Sequence, residues 1–483
     1  MAVRLASHPT HGFTQPTRAA RPCRTRTVAL LLLADVLGWC LAGAAAIALA
    51  HRLGYALDGR DLAVALLGLA VIPIAYAGHG LYPAAGVSRI DELRRLTMAT
   101  SGVWLVLSAV VAVLHDVVGI GPLLLTWAVA LPAVPIARAV ARHASDRRPW
   151  YGVPTVMLGA GEAAALVTRR LQRFPNGYRI VAAFDDDPAR VGRDLHGVPV
   201  VGPLADAARY TAKGVRHALV AMPSLRAEHL ADVVRTHAKP FPNVILLPDF
   251  AGLASVGVTP RNLGGVVGLH VRQELLRPRN LALKRALDVV MLVPLGLVAL
   301  PILLLAALAV RFVSPGSPFY AQEREGQGGR TFRMWKLRTM HHDADALLAR
   351  HLAENPEAAA EWARHFKLRR DPRILPGIGR LLRKTSLDEL PQLWNILRGD
   401  MSFVGPRPFP AYHLDAFGER FRALRREVRP GLTGLWQVVA RAESDLALQE
   451  ELDTLYIANW SPWMDVYLIA RTPWSVLRGN GAY

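Results

Sequence analysis

The chain has 483 residues, a length that allows two to four domains, and 52% of them are hydrophobic. It carries 57 Lys and Arg residues against 38 Asp and Glu residues, a formal net charge of +19. The two cysteines argue against a disulfide framework or a Cys-based zinc site, since Cys40 lies inside an apolar segment. An apolar, basic chain instead indicates a membrane protein whose positive charge faces anionic lipid or an anionic substrate.

Four long apolar segments occupy the N-terminal part of the chain, at residues 28–50, 62–81, 96–114 and 117–140. Each approaches the roughly 20 apolar residues that a helix needs to cross a bilayer. Arginines concentrate before the first segment, between the second and third, and after the fourth. The positive-inside rule therefore predicts a four-span transmembrane region over residues 1–148, with both of its ends in the cytoplasm.

Shorter apolar runs follow between residues 149 and 270, at 155–158, 180–184, 218–221 and 244–247. Stretches with helical character, such as 162–174 and 227–237, separate them. Short strands that alternate with helices predict a Rossmann-like α/β domain with a parallel sheet.

A glycine-rich turn follows the first of these runs. It reads Gly159-Ala-Gly161-Glu-Ala-Ala164, and three aspartates, Asp185 to Asp187, follow the second run. The pattern matches a short dinucleotide fingerprint, in which a helix N-terminus faces phosphate. Tight packing of the strand on the helix explains the same glycines without a ligand. Both interpretations stay open.

A fifth apolar segment, at residues 289–310, contains Pro301. Its length alone favours another spanning helix. Basic residues flank it on both sides, however, and a fifth crossing would export the basic region that follows. Pro301 lacks a backbone donor and clashes with the preceding turn, so it can bend the helix sharply. We therefore expect a re-entrant helix over about residues 286–312 that enters and leaves by the same face.

The last part of the chain, residues 271–483, is predicted to be a separate domain that contains this helix. Beyond the apolar segment it is polar, strongly basic and rich in Gly and Pro. Helical patterns cover residues 343–370 and 390–397. His341 and His342 precede the first of them, beside aspartates, and we interpret this group as a solvated helix start rather than a metal site.

The densest polar pattern surrounds Asp388 and Glu389. Ser386 and Glu389 have the spacing of a helix capping box, which would explain both residues without chemistry. Pro391 favours Asp388 as the cap instead, because the N–H of the third helical residue has no partner within the helix. Asp388 would then lie at the positive end of a helix dipole, which favours the ionised carboxylate.

Adjacent carboxylates suit phosphoryl chemistry. One can attack phosphorus, while the other holds Mg²⁺, which prefers oxygen ligands and bridges phosphates. Arg383 and Lys384 precede the pair, and Arg407 lies on a stiff segment between two prolines. Such cations can stabilise a transferred phosphoryl group. Ordinary surface salt bridges explain the same arginines without a substrate.

At these residues the chain resembles the bacterial sugar transferase family, the polyprenyl-phosphate monotopic phosphoglycosyltransferases. The four spans and the α/β domain resemble its large-form members, which include undecaprenyl-phosphate galactose and glucose phosphotransferases. The matching motifs are Lys284-Arg285-Ala-Leu-Asp288, the Pro301 helix, Ser314-Pro-Gly-Ser-Pro318, Gln322-Glu-Arg-Glu-Gly326, Phe332-Arg-Met-Trp-Lys-Leu-Arg-Thr-Met340, Asp371-Pro-Arg373, Asp388-Glu389, Gly405-Pro-Arg-Pro408, Arg429-Pro-Gly-Leu-Thr-Gly-Leu-Trp-Gln437 and Gly481-Ala-Tyr483.

The resemblance implies a two-step reaction at the cytoplasmic face of the bacterial inner membrane. Asp388 attacks the β-phosphate of a UDP-sugar and releases UMP, and undecaprenyl phosphate then takes the sugar phosphate from the aspartyl-phosphosugar. The product serves exopolysaccharide, capsule or O-antigen synthesis. The resemblance also implies that Glu389 binds Mg²⁺ and that Pro301 breaks the re-entrant helix. The residues expected to bind the substrate phosphates are Arg383, Arg407, Lys336 and Arg338.

Two positions depart from the family pattern. Leu300 stands where a serine often precedes the proline, so the details of the helix break stay open. Val439-Ala440-Arg441 stands where Ser-Gly-Arg is common, in a loop that could bear on sugar specificity. The sequence leaves the sugar open among galactose, glucose and N-acetylated sugars. It also leaves open whether the α/β domain joins two copies of the chain.

Two rival classes of protein remain. A membrane-bound NAD-dependent nucleotide-sugar dehydratase or epimerase would need a Tyr-x-x-x-Lys pair, and Tyr210 and Lys213 have the wrong spacing. A non-catalytic membrane anchor or regulator would not need the Asp388-Glu389 block and its arginines. Nucleic acid is a weaker partner for the positive charge than lipid or phosphate, because no nucleic-acid-binding motif accompanies it.

Overall fold

The computed structural model describes residues 24–55, 59–82, 85–114, 120–146, 148, 150–173, 175–247, 259–263, 266–270, 274–341, 343–365, 368, 371–440 and 446–477. The sequence-based interpretations of His342, Arg441 and the motif at 481–483 lie outside these residues. The chain divides into two compact units, Met1–Asp249 and Phe250–Tyr483.

Four apolar helices begin the first unit: α1 (Arg24–Arg52), α2 (Gly59–Gly78), α3 (Arg89–Leu114) and α4 (Ile120–Ser145). Three of them are long and apolar enough to cross a membrane, over Arg24–Arg52, Arg89–Val113 and Gly121–Ser145. The second contributes a shorter apolar stretch, Ala63–Gly78. The prediction of a helical, apolar N-terminal region is confirmed, while the number and direction of the crossings stay predictions.

A buried polar network joins these helices. Arg138, only 1% exposed, donates two hydrogen bonds of 2.8 Å to the carboxylate of Asp35 and one of 2.7 Å to Glu92. Arg142 also donates to Glu92, and its other arm reaches the Tyr151 hydroxyl at 3.0 Å. Two cations and two carboxylates balance one another, which offsets the cost of removing each charge from water.

The rest of the first unit is the predicted α/β domain. Its five parallel strands are β1 (Val153–Leu158), β2 (Tyr178–Phe184), β3 (Val200–Gly202), β4 (His217–Val220) and β5 (Asn243–Leu246), in the spatial order β3-β2-β1-β4-β5. The helices α5 (Glu162–Arg173) and α6 (Ala227–Val233) occupy the crossovers. Buried apolar side chains cover both faces of this sheet, as expected for parallel strands.

The glycine-rich turn after β1 is closed by a side chain of the same domain. Asp185 accepts hydrogen bonds from the amides of Ala160 at 2.7 Å and Asp187 at 2.9 Å. Burial alone would raise the pKa of Asp185, but these amides and the Arg190 guanidinium bring it below its usual value. A Cβ on Gly159 would lie 2.8 Å from the Ala221 carbonyl oxygen. Close packing therefore accounts for this glycine.

The second unit starts with the antiparallel strands β6 (Thr259–Leu263) and β7 (Val266–His270), followed by the 36-residue helix α7 (Pro278–Val313). An antiparallel hairpin comes next, formed by β8 (Phe319–Glu325) and β9 (Thr331–Leu337). The prediction of one continuous helix over residues 343–370 is wrong. The chain forms α8 (Ala344–Glu354) and α9 (Pro356–His365), because Pro356 cannot continue a helix but suits the first position of a new one.

The remaining elements are short. They are α10 (Ile378–Thr385), α11 (Gln392–Arg398), β10 (Ser402–Val404), α12 (Ala411–Leu414), α13 (Glu419–Arg426), β11 (Gly431–Thr433), α14 (Leu435–Val439), α15 (Leu446–Ala458) and α16 (Pro462–Leu477). Strands β10 and β11 pair in parallel.

Both ends of α7 contact the same unit. Near its start, Lys284 forms a buried ion pair of 2.7 Å with Asp465. Asp288 accepts a 2.8 Å hydrogen bond from Ser402 of β10. Near its end, Ala306 and Val310 pack in a cluster with Leu337, Leu375 and Leu382.

The middle of α7 is exposed and apolar, as Val290, Leu297 and Leu305 show at 67%, 72% and 69% exposure. The helix runs without interruption across Pro301. The re-entrant bend at this proline stays a prediction.

Candidate active site

Asp388 and Glu389 lie in a single 3₁₀ turn, Leu387–Glu389, between α10 and α11. Ser386 has a φ of 57° and ends α10 in a left-handed conformation, which redirects the chain into this turn. Pro391 is the N-cap of α11, so the expectation that Asp388 caps this helix is wrong. The 3₁₀ turn separates the carboxylates from the helix, and the proline occupies a position where its missing N–H breaks no intrahelical bond.

Glu389 lies between two cations that come from different elements. Its Oε1 is 2.9 Å from Lys336 Nζ on β9 and 3.1 Å from Arg407 Nη2 on the segment after β10. The Lys336 and Glu389 side chains are 18% and 13% exposed. Partial burial strengthens these interactions relative to exposed ion pairs.

The carboxyl of Asp388 is perturbed by its surroundings. Burial raises its pKa above the usual range; Lys336 lowers it, the neighbouring Glu389 raises it further, and Arg383 and Arg407 lower it. The expected helix dipole does not offset the burial, because α11 starts at Gln392. The ionised form of Asp388 therefore depends on the surrounding cations.

Two other predicted phosphate-binding arginines differ in their surroundings. Arg383 on α10 donates to Thr339 Oγ1 at 2.9 Å. Burial lowers its pKa, and the nearby Asp388 partly compensates, which places Arg383 in the same cluster. Arg338 instead donates to the carbonyls of Ser314 at 2.6 Å and Pro315 at 2.9 Å, just after α7. Arg338 holds the segment that follows α7, and phosphate binding by Arg338 stays a prediction.

A small pocket of about 90 Å³ opens beside this cluster. Three of its lining residues are cationic, namely Arg324, Lys336 and Arg407, and Glu389 adds a carboxylate. The remaining lining residues are Met334, Gln392, Pro408, Phe409, Pro410, Gly431 and Leu432. Arg324 lies in the 322–326 motif of the family resemblance, but the sequence alone did not predict it as a site residue.

The segment that carries Arg407 is fixed by its backbone. Gly405 N donates to Thr433 O, and Gly431 N donates to Pro406 O, each at 2.9 Å. A Cβ on Gly405 would lie 2.6 Å from the Arg429 carbonyl oxygen, so only glycine permits this approach. The arrangement supports the sequence-based view of Arg407 as a residue on a rigid segment.

The carboxylates of this cluster could bind a metal ion together with the substrate phosphates and water. Within the described residues, no group of three or more His, Cys, Asp or Glu side chains could hold a metal ion. Mg²⁺ commonly binds one or two carboxylates and completes its coordination with water and substrate phosphates. Asp388 and Glu389 fit that pattern in the chemistry of their oxygens.

Comparison with known proteins is consistent with this architecture. The sequence model for the bacterial sugar transferase family matches residues 279–479, and that for a CoA-binding domain matches residues 79–248. The chain is 32% identical over 365 residues to an undecaprenyl-phosphate galactose phosphotransferase of Salmonella typhimurium, covering 74% of this chain and 75% of that relative.

Two further relatives match a smaller share of the chain. A UDP-glucose:undecaprenyl-phosphate glucose-1-phosphate transferase of Caulobacter vibrioides is 42% identical over 41% of this chain and 72% of its own. The exopolysaccharide production protein ExoY of Sinorhizobium fredii is 42% identical over 43% of this chain and 91% of its own. The chain belongs to the bacterial sugar transferase family. It is an enzyme of the phosphoglycosyltransferase class.

Proposed function

We propose that this chain transfers a sugar 1-phosphate from a UDP-sugar to undecaprenyl phosphate and releases UMP. The observation that carries the proposal is the Asp388-Glu389 pair, which lies among Lys336, Arg383 and Arg407 beside a cationic pocket. Relatives named as undecaprenyl-phosphate galactose and glucose transferases support the substrate class. The relative named for exopolysaccharide production supports a role in the first membrane step of surface polysaccharide synthesis.

The proposed chemistry proceeds through a covalent intermediate. An oxygen of Asp388 attacks the β-phosphorus of the donor, the bond to the UMP oxygen breaks, and UMP leaves with the electron pair. A phosphate oxygen of undecaprenyl phosphate then attacks the same phosphorus and releases the Asp388 carboxylate. Lys336 and Arg407 stabilise the negative charge that develops on the transferred group.

Glu389 and the donor phosphates would hold Mg²⁺, which supplies charge neutralisation on the diphosphate. Lys336 and Arg407 keep the Glu389 carboxylate oriented toward the pocket. Arg383 contributes positive charge near Asp388 and so favours the ionised, nucleophilic form.

We place the catalytic unit on the cytoplasmic face of the inner membrane. The anchoring of both ends of α7 to one unit supports a helix that enters and leaves by the same face. The basic residues on both flanks favour the cytoplasmic side. There a water-soluble UDP-sugar and a lipid phosphate can reach the same carboxylate.

Release of UMP separates this proposal from its rivals. Full-length protein in membranes, with Mg²⁺ and undecaprenyl phosphate, is incubated with UDP-galactose, UDP-glucose and N-acetylated UDP-sugars. A dehydratase or epimerase would alter the sugar and leave the diphosphate intact, and an anchor or regulator would leave the donor unchanged. The donor with the highest kcat/KM identifies the sugar.

The carboxylates are tested directly with Asp388→Asn and Glu389→Gln. We expect no turnover from the first and almost none from the second, with an aspartyl-phosphosugar adduct trapped on the wild-type protein and seen by mass spectrometry. The matched control is Asp415→Asn, which changes an exposed carboxylate of the same unit that pairs with Arg422. Near-normal turnover by the Asp388 variant would refute the nucleophile assignment.

A further inference from the structure

A buried ion pair lies behind the Arg407 segment. Arg425 of α13 and Asp453 of α15 are joined at 2.6 Å, and their side chains are 8% and 3% exposed. Burying such a pair carries a desolvation cost that well-packed apolar side chains would avoid. Its presence therefore points to a task beyond joining two helices.

The Arg425 guanidinium has its orientation fixed on several sides. One arm donates to Asp453, and the other donates to the backbone carbonyl of Arg407. Its face lies over two aromatic rings, 5.0 Å from the Phe409 centroid and 5.6 Å from the Phe421 centroid. A planar group with this many contacts can hold the carbonyl in one place.

The contact lies at the centre of the Pro406-Arg407-Pro408 segment. The carbonyl of Pro406 is held separately by Gly431, and the prolines fix their own φ angles. The contact from Arg425 thus anchors the one residue of this segment whose side chain reaches Glu389, at 3.1 Å. A chain of contacts runs from Asp453 through Arg425 and Arg407 to the Glu389 carboxylate.

We propose that Arg425, oriented by Asp453, is a positioning residue that sets the Arg407 side chain against Glu389 and the donor phosphates. The inference rests on the proposed function, because it needs Arg407 to act on a phosphoryl group. Arg425 touches no reacting atom and acts through the Arg407 backbone. Its loss lowers turnover chiefly through Arg407, the residue whose carbonyl it binds and whose side chain contacts Glu389.

A double-mutant cycle tests this route. Arg425→Lys keeps the charge but cannot serve both acceptors with a planar fork. We expect kcat/KM for UMP release to fall on the order of 100-fold, as for a misplaced positioning group. In the Arg407→Ala background, where no cation is left to position, the same change should alter kcat/KM by no more than about twofold, the range of additivity errors. Independent, multiplicative losses would overturn the proposal, and so would full activity in the single variant.

The matched control is Arg422→Lys, on the same helix, whose guanidinium pairs with the exposed Asp415 at 3.1 Å. It should leave kcat/KM unchanged in both backgrounds. If Arg425→Lys does not fold, Asp453→Asn takes its place in the cycle, since it keeps the shape and an acceptor but removes the charge. The same criterion of coupling to Arg407 then applies.

A binding measurement gives a second readout. In the Asp388→Asn background, Arg425→Lys should raise the Kd for the UDP-sugar, and the rise should vanish when Arg407 is also changed to alanine. An unchanged Kd contradicts the positioning role. A wild-type chain that releases no UMP from any UDP-sugar ends both proposals, whereas UMP release without coupling ends only this one.

Discussion

Two cations share one oxygen of Glu389, and this arrangement gives Lys336 a larger role than its place in a motif suggests. Lys336 pairs with Glu389 at 2.9 Å and also lowers the pKa of Asp388. Lys336 and Arg407 both act on the two carboxylates, and Lys336 lowers the Asp388 pKa the most, at the point where β9 passes the 3₁₀ turn.

We predict that Lys336→Met lowers kcat for UMP release by about 100- to 1,000-fold, the usual cost of losing one preorganised electrostatic donor. The control is Lys384→Met, which removes an exposed cation only five residues before Glu389. Initial rates at saturating UDP-sugar provide the comparison. Equal rates for the two variants would show that Lys336 has no special role.

Asp371 provides a prediction about pH and stability. Arg373 donates to its two carboxylate oxygens at 2.8 Å and 2.7 Å. Burial alone would raise the pKa of Asp371, but these bonds bring it below its usual value. A lowered folded-state pKa contributes stability above the unfolded value of about 3.9, and the contribution is lost as pH falls through the folded value.

We therefore expect Asp371→Asn to lower the Tm at pH 7 and to flatten the loss of Tm as the pH falls below about 4. Thermal unfolding in detergent between pH 7 and pH 3 measures both effects. Asp415→Asn, which changes an exposed carboxylate, should leave the profile unaltered. A parallel downward shift without flattening would contradict the linkage.

Residue patterns predicted a large part of this site. Asp388, Glu389, Arg383, Arg407 and Lys336 come together, and each lies in a motif that is readable along the chain. The expectation that Asp388 caps α11 was wrong because helix-capping patterns do not predict the left-handed conformation of Ser386. The pair Arg425 and Asp453 was missed because its partners lie 28 residues apart on two helices, where no periodicity relates them.

At the scale of elements, α7 carries the main topological prediction. We expect cysteines introduced in place of Arg279 and Ser317, in a background without Cys23 and Cys40, to react with an impermeant maleimide only from the cytoplasmic face. Gly54→Cys, in the loop between α1 and α2, should react only from the opposite face. Labelling of Arg279→Cys and Ser317→Cys from opposite faces would establish α7 as a spanning helix.

Four of the five strands in the α/β domain were predicted from short apolar runs. The predicted α/β runs overlap the observed strands β1, β2, β4 and β5. The hairpin of β8 and β9 was not predicted, since these polar, charged strands lack the alternation that reveals a buried face. The parallel pair of β10 and β11 was not predicted because each strand has only three residues. The division of the predicted 343–370 helix into α8 and α9 at Pro356 was missed, because the charge pattern of the sequence continues on both sides of this proline.

At the scale of the molecule, the second unit contains every residue of the candidate site. The family model matches residues 279–479, and the relative ExoY matches 43% of this chain over 91% of its own length. We therefore expect a chain of residues 271–483 in detergent or lipid to release UMP from the preferred UDP-sugar, well above the full-length Asp388→Asn background. Loss of release, with the folded state preserved by circular dichroism, would show that the first unit is needed for chemistry.

The ion pair at the base of α7 also orders events during biosynthesis. Lys284 and Asp465 are separated by 181 residues. At 5–20 residues per second, the ribosome needs about 10–40 s to supply the carboxylate after the lysine. The apolar helix α7 is thus synthesised well before the ion pair between Lys284 and Asp465 can form. Lipid or a chaperone must cover its apolar surface during this interval. The docking of α7 onto α16 is therefore a late step in the folding of the enzyme.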